Sequence, residues 1–460
     1  MGLTRLRIDE LVSAWGTDQD TPFQMALLGV FESAPFLQPN GSVDVLRVRR
    51  ELAARARGVP ALGRRVVWTR VGEGRPVWAA EPSFDPAAHI ECATLPPGAD
   101  LANWAANRIV RPLDTNRPLW RAEVVDGLPG GRFAVILVLH HIVADGYAGM
   151  AITGSLLDSR PDTVSAAPPV GAVPPLPSPG QLIRDRLHLA LGALRHLRLP
   201  KAETLASLAR GMAQSRNTMA GFRTPEPVTS LPRRIGPGRT LVIVRQPLED
   251  LRRAGHVLGV SVNDLLLAAV TGGLRELLAT RGDPVAGLVL RTIVPAATGH
   301  PGQVMGMLVV DLPVGEPDPL RRIALIGRST ATGKARLRGA SGDANDLLHL
   351  PVPLVRAIFR RVRRFGSSRI TLSVTDVVGP AAPLWLAGAR LVDAVPVAPL
   401  VPLVPLSAAA LSYAGELAVS VNADATISDL DVLAAGLERS FTELRDLTRG
   451  NERLAQRSSP

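Results

Sequence analysis

Phe133-Ala134-Val135-Ile136-Leu137-Val138-Leu139 runs directly into His140-His141-Ile142-Val143-Ala144-Asp145-Gly146, and the reading of this stretch decides both fold and chemistry. The apolar run is unbroken, rich in branched side chains and opened by Gly130-Gly131, so it fits a central strand buried on both faces. Successive side chains of a strand point to opposite faces. One histidine can therefore face a cavity while its neighbour packs on the other side or braces the loop. Asp145-Gly146 reads as a turn, and its carboxylate can fold back toward the histidines or fix the loop through an arginine. A neutral imidazole, with an ordinary pKa of about 6.5, is suited to take a hydroxyl proton near neutral pH. The bland readings are a capped strand end or a metal site. Adjacent ligands on opposite faces cannot readily share an ion, and no third clustered ligand is evident.

Working outward, Val45 to Arg57 reads as a helix with Ser42 or Asp44 as its N-cap, and Arg65–Trp68 and Ala122–Val125 read as short strands. From about Ser159 to Gly180 the composition shifts to Pro, Ala, Ser and Gly, which marks a linker or crossover. Leu182 to Arg198 follows as a basic amphipathic helix candidate carrying Arg184, Arg186, His188, Arg195, His196 and Arg198. A second mixed region runs from about Arg239 to Leu447. It opens with the strand Thr240–Val244, then a helix to about Leu278 with Ser261 or Asn263 as N-cap and Asp264 at the positive end of its dipole. Strand-like runs recur at Leu288–Val294, Met307–Leu312, Ile370–Val374 and Leu417–Val421. Between them Arg356, Arg360, Arg361, Arg363 and Arg364 surround Ile358, Phe359, Val362 and Phe365. The expected organisation is α/β (α+β) with mixed sheets in two domains, 1–158 and 236–450, joined by a Pro-rich linker and basic helical crossover at 159–235, with a tail at 451–460.

A chain of 460 residues is too long for one ordinary core, in keeping with two domains. The single cysteine, Cys92, excludes an intramolecular disulfide and a thiolate metal cluster, and fits a reducing compartment. Met1 to Glu10 is charged too early for a secretory signal. The most apolar long stretch, Leu391 to Leu411, is broken by Pro396, Pro399, Pro402 and Pro405, so a transmembrane helix is not expected. The protein is expected in the cytoplasm, soluble or peripheral on the inner membrane face. The net charge of +11 suits a phosphate-bearing substrate or an anionic lipid surface. It equally suits scattered, solvated arginines. Aromatics at 4% and the lack of a recognisable module argue against nucleic acid.

His140-His141-x-x-x-Asp145-Gly146 resembles the signature of the CoA-dependent acyltransferase and peptide-synthetase condensation-domain superfamily. Pro112-Leu113-Asp114…Arg117-Pro118-Leu119-Trp120 is similar to a motif of bacterial wax ester synthase/diacylglycerol acyltransferases. Asn263-Asp264 before Leu-Leu-Leu-Ala resembles that family's Asn-Asp helix motif. Asp376-Val377-Val378-Gly379-Pro380 resembles its Asn-Val-Pro-Gly-Pro block, and Ser412-Tyr413-Ala414-Gly415 its Ser-Tyr-Asn-Gly block. Arg75-Pro76-Val77-Trp78 and Phe84-Asp85 carry the likeness toward the N-terminus. It spans roughly residues 20 to 447, in order.

The resemblance implies two chloramphenicol-acetyltransferase-like domains with an active-site tunnel between them. It implies acyl transfer from acyl-CoA, a co-substrate rather than a bound cofactor, to diacylglycerol or a long-chain alcohol. The products would be triacylglycerol or wax ester, and no metal takes part. His141 would be the general base. His140, Asp145 and Gly146 would support it, Asp145 through an arginine such as Arg291, and Asn263 and Asp264 would support the site from the second domain. The basic clusters would attract CoA phosphates and an anionic membrane or lipid droplet. The chain departs from the family pattern at Arg121, Ile142, Gln303, Asp376, Val378 and Ala414. A divergent enzyme that acylates a specialised metabolite or polar alcohol, with a CoA or carrier-protein donor, is therefore the alternative. A non-catalytic lipid- or partner-binding protein of the same fold is the rival from another class.

Overall fold

The structure is a computed structural model, and it describes residues 3–17, 20–70, 72–162, 176–195, 226–296, 306–338 and 352–457. The first sheet contains β1 (Gln24–Glu32), β4 (Ile90–Thr94), β5 (Trp120–Leu128), β6 (Arg132–His140), β11 (Trp385–Leu386) and β12 (Ala389–Val397), in the order β11-β12-β1-β6-β5-β4. β2 (Arg64–Val67) and β3 (Val77–Ala80) form a separate hairpin. β6 is central and antiparallel to both neighbours, β1 and β5. Phe133 to His140 are all buried, as its apolar run requires. Ala134, Ile136 and Val138 pack with α3 (Leu101–Ile109). Phe133, Val135, Leu137 and Leu139 face α2 (Val45–Arg57) and α4 (Gly146–Leu156) instead. Asp44 caps α2 by accepting the Arg47 N–H at 2.9 Å.

The second sheet contains β7 (Arg239–Pro247), β8 (Leu290–Ala296), β9 (Gly306–Leu312), β10 (Leu372–Val378), β13 (Leu406–Tyr413) and β14 (Glu416–Asp424), in the order β7-β14-β13-β10-β8-β9. Its core is closed by α6 (Leu248–Leu258), α7 (Val262–Thr280), α8 (Pro319–Arg338) and α10 (Leu430–Arg457). α7 and α10 approach closely at Gly273, where a Cβ would lie 2.8 Å from the Leu433 carbonyl oxygen. The parallel pairing of β10 with β8 covers Leu372 and Ser373, whereas its pairing with β13 runs on to Val378. The end of β10 thus reaches the first half of the molecule, where Val377 joins the core under β6.

The two halves are interleaved. β11 and β12 follow β10 in the chain, yet β12 pairs antiparallel with β1 in the first sheet. Pro396 sits inside β12, and Pro405 immediately precedes β13. The Pro-broken stretch from Leu391 to Leu411 is thus mostly sheet. Asp158 fastens this crossover. Its backbone pairs with Trp385 in both directions, at 2.7 and 2.9 Å. Its carboxylate receives both terminal nitrogens of Arg55 on α2, at 2.8 and 2.7 Å, and the Ala387 N–H at 3.2 Å.

Within the expected crossover, α5 (Pro179–Arg195) is held to the first half by Arg5, which donates to Asp185 at 2.7 Å and to the Leu182 carbonyl at 3.1 Å. His196, Arg198 and Gln303 lie outside the described residues. α9 (Val352–Ser367) carries the second arginine cluster and rests Phe359 near Trp15 of α1 (Ile8–Gly16), ring centroids 6.2 Å apart.

The Arg55–Asp158 pair is 7% and 1% exposed, so removing one partner strands a buried charge. We expect Arg55→Ala to lower unfolding stability by about 3 to 5 kcal/mol. Arg7→Ala, at an exposed pair with Asp9, should cost less than about 1 kcal/mol. Urea unfolding of both variants checks the contrast.

Candidate active site

The β1–β6 ladder sets Met25 opposite Leu139, Leu27 opposite Leu137, Gly29 opposite Val135 and Phe31 opposite Phe133. It continues one step past the strand end, where the His141 N–H donates to the Phe23 carbonyl at 2.9 Å. The Phe23 ring stacks on the imidazole, centroids 4.6 Å apart and planes 26° from parallel. Directly opposed residues share a face of the sheet. His141 therefore stands in the row of Leu139, Leu137 and Val135, and His140 points to the other side.

His140 is buried. Its Nδ1 accepts the Ile142 N–H at 3.1 Å, so in the neutral ring Nε2 carries the hydrogen and donates to Thr17 Oγ1 at 2.8 Å. Burial, then the neighbouring His141, holds its pKa down at about 4. It is a neutral brace tying the segment before β1 to the turn after β6.

His141 is also held below the ordinary histidine value, chiefly by loss of solvent around the ring. The Asp145 charge, a hydrogen bond to its own backbone carbonyl and the Asp9 charge oppose this without overcoming it. A largely neutral imidazole keeps a ring lone pair that can accept a proton. That is the equipment of a general base near neutral pH.

Asp145 is the N-cap of α4 and accepts the Ala148 N–H at 2.8 Å. Its carboxylate is thereby held by a helix end, and among the described residues no arginine pairs with it. Arg291, the expected partner, pairs with Glu226 at 3.2 Å and Asp311 at 3.6 Å. Gly146 does not have a positive φ. What it provides is room, because a Cβ there would lie 3.0 Å from Val377 Cγ2 on β10.

Asn263 and Asp264 occupy the first turn of α7, where Ser261 is the N-cap. Asp264 accepts from Ser261 Oγ at 2.6 Å and from Thr330 Oγ1 of α8 at 2.8 Å. It braces two helices and is not hydrogen-bonded to the histidines. The Pro112–Trp120 segment is framework too. Gln24 holds its start by accepting the Leu113 N–H, and holds the residues just before it by donating to the Ile109 and Arg111 carbonyls. The Trp120 indole donates to the Leu62 carbonyl at 2.8 Å and lies flat on His89. Thr17, Phe23 and Val377 complete the surroundings of the motif. No local signal in the sequence marks them, because each arrives through a long-range pairing.

Residues 8–266 match the family described as the wax ester synthase/diacylglycerol acyltransferase catalytic domain, and residues 301–445 match its C-terminal domain. A Mycobacterium tuberculosis protein described as a probable diacylglycerol O-acyltransferase is 28% identical over 417 residues, covering 85% of this chain and 86% of that protein. The wax ester synthase/diacylglycerol acyltransferase of Marinobacter aquaeolei VT8 has a similar fold, with a TM-score of 0.68 at 21% identity over 97% of this chain and 100% of that one. The first condensation domain of the calcium-dependent antibiotic synthetase follows at 0.61 and 20% identity, with 97% of each chain covered. With the same mixed sheets in two halves and a match along most of its length, the chain belongs to the wax ester synthase/diacylglycerol acyltransferase family.

Proposed function

We propose that this acyltransferase moves a fatty acyl group from acyl-CoA to the hydroxyl of diacylglycerol or a long-chain alcohol, with His141 as general base. His141, set at the end of β6 against the Phe23 ring and held toward its neutral form by desolvation, carries this reading. In it, the imidazole removes the hydroxyl hydrogen as the oxygen attacks the thioester carbonyl. The tetrahedral intermediate then expels the CoA thiolate, which takes the proton back from His141. One ester bond forms, one thioester bond breaks, and no acyl-enzyme is required. Acyl-CoA is a co-substrate and no bound cofactor enters.

In this reading His140 and Asp145 position the base from either side, and the tunnel between the halves would pass the close approach of Gly146 to Val377. Asn263 and Asp264 support the opposite wall by fixing the start of α7. The working unit comprises 1–158 and 236–450, joined through 159–235, with 451–460 as a tail.

The acceptors are lipids, and the surface suits peripheral contact with an anionic membrane or lipid droplet on the cytoplasmic side. Arg356, Arg360, Arg361 and Arg364 are exposed on α9. Ile183, Leu187 and Leu191 are 46, 57 and 54% exposed on α5, beside exposed Arg184 and Arg186. No single described helix is long and apolar enough to cross a membrane.

One observation favours the alternative of a polar acceptor, with a CoA or carrier-protein donor. Asp376, where the family pattern has asparagine, precedes Val377 on β10, and burial raises its carboxyl to about 6.

The test is CoA release from hexadecanoyl-CoA with diacylglycerol, hexadecanol and a panel of polar alcohols. We expect turnover with a lipid acceptor and a fall of roughly 10²- to 10⁴-fold in kcat for His141→Ala. Parent-like turnover by that variant would remove His141 as base, and use of polar acceptors alone would favour the alternative.

The pH profile has a definite sign. The neutral base is the active form, and its pKa lies below 6.5. The acid limb of kcat/KM should therefore be centred below about pH 6.5. A midpoint above that value contradicts a desolvated His141.

Sedimentation with vesicles containing anionic lipid should carry the protein down at low salt and release it as salt rises. Binding unaffected by salt, or none at all, argues against the arginine faces.

A further inference from the structure

Phe23 lies across the imidazole of His141, and the transfer step as written gives it no task. Its backbone is tied down at both polar groups. The carbonyl accepts the His141 N–H at 2.9 Å, and the N–H donates to Thr17 Oγ1 at 3.4 Å. The same hydroxyl oxygen accepts from His140 Nε2 at 2.8 Å. Thr17 therefore links His140 to the residue that holds His141. The Phe23 ring packs on the end of α1, where a Cβ at Gly16 would meet its Cγ at 3.7 Å, an ordinary contact. From there it presents a face to the imidazole, with centroids 4.6 Å apart and planes 26° from parallel.

A phenyl ring laid on an imidazole in this way has two opposed effects. It replaces water on that side, which disfavours the imidazolium. It also turns the negative face of its quadrupole to the imidazole, and that face attracts a cation within about 6 Å of the ring centre. Proton abstraction converts the neutral imidazole to imidazolium, so the attraction grows as the reaction proceeds. An interaction that strengthens toward the transition state raises kcat.

The ionisable groups on the neighbouring elements are otherwise engaged or stand apart. Asp145, at the start of α4, accepts the Ala148 N–H, and Asp9 on α1 pairs with Arg7. His140 is a neutral ring on the other face of β6. Asp376 stands on β10, one residue before the Val377 that approaches Gly146. Arg356 and Arg360, on the helix packed against α1, are exposed. The Phe23 face is what lies directly on the imidazole.

We infer that Phe23 is a positioning residue for acyl transfer, its ring fixing the plane of the His141 imidazole and its face steadying the imidazolium formed when the acceptor hydroxyl loses its proton. This rests on the reading of His141 as the base. No bond to Phe23 forms or breaks: the proton passes from the hydroxyl to the imidazole and on to the leaving thiolate.

Phenylalanines with one, two or three ring fluorines, placed at position 23 by codon suppression, keep the shape of the ring and draw charge from its face. Near-ultraviolet circular dichroism checks that each variant folds. One readout is kcat and KM with hexadecanoyl-CoA and the acceptor that the parent uses. The other is the His141 titration, followed by NMR of isotope-labelled histidine and assigned with His141→Ala. We expect kcat to fall stepwise with each fluorine, by roughly threefold to thirtyfold at the end of the series, with KM little changed. Phe23→Leu should lose as much. The His141 pKa should fall in the same order, because a poorer face favours the neutral ring. A packing role alone predicts a flat series, so a flat kcat or a flat pKa in folded, active enzyme overturns the inference. If the parent releases no CoA, or His141→Ala turns over as fast as the parent, the general-base reading fails instead. The titration then decides alone whether the Phe23 face holds the imidazolium, and a flat one overturns that too.

Discussion

The antiparallel register of β1 against β6 is the constraint on which the site depends. A strand has a side-chain period of two, so a slip by one residue would exchange the two histidines between faces. It would also turn the row from Phe133 to Leu139 away from its core. Both ends of the pair are pinned. At the far end Phe31 stacks on Phe133 at 5.2 Å, Phe36 meets the same ring edge-on, and Ser33 bonds the Gly131 carbonyl through its N–H and its hydroxyl. At the near end buried Gln24, opposite His140, spends its amide on the Ile109, Arg111 and Leu113 backbone. This register is what gives His141 and His140 different surroundings. The two rings share a sequence context but not an environment, since His140 engages both ring nitrogens in hydrogen bonds and His141 stacks on Phe23.

The second requirement is a neutral ring in a partly dry place. Desolvation disfavours the imidazolium, and a neighbouring carboxylate favours it. Asp145 would cancel the first effect if it came too close. Capping α4 holds its carboxylate on the Ala148 N–H, where it orders the loop and still leaves desolvation dominant at His141. The helix end thus does the work that the sequence reading gave to an arginine. It also explains why the motif needs glycine next: the first residue of α4 is the one that β10 approaches.

How much of this was legible in the sequence depends on range. β6 was readable because burial on both faces leaves an unbroken apolar run, and α2 and the start of α7 because Asp44 and Ser261 are good caps. β13, Leu406-Ser-Ala-Ala-Ala-Leu-Ser-Tyr, has little strand propensity, and burial between β10 and β14 makes it one. β12 hid behind its prolines. Its passage into the first sheet is fixed by Asp158 and by β1, both far away in sequence. In the site, His141, Asp145 and Gly146 stood in one local motif. Thr17, Phe23 and Val377 reach it only through tertiary pairing, which periodicity does not encode.

The departures from the family pattern look like a concerted change of substrate until they are placed in the fold. Arg121 is buried and donates to the Arg108 carbonyl at 2.7 Å, bracing the framework beside β5. Ile142 is buried in the core of the first half. Val378 is 67% exposed. Ala414 forms the two-residue turn between β13 and β14 with Gly415, at φ of 46° and 93°. Asparagine tolerates that left-handed conformation better than alanine does, so this change bears on stability. Asp376 differs from all of these. It is partly buried, next to the residue that touches Gly146, and it puts a carboxyl that changes charge at about pH 6 where the family pattern has a neutral amide. Among the described substitutions Asp376 is therefore the one that alters the charge of a partly buried group, since the others serve packing, a turn or the surface.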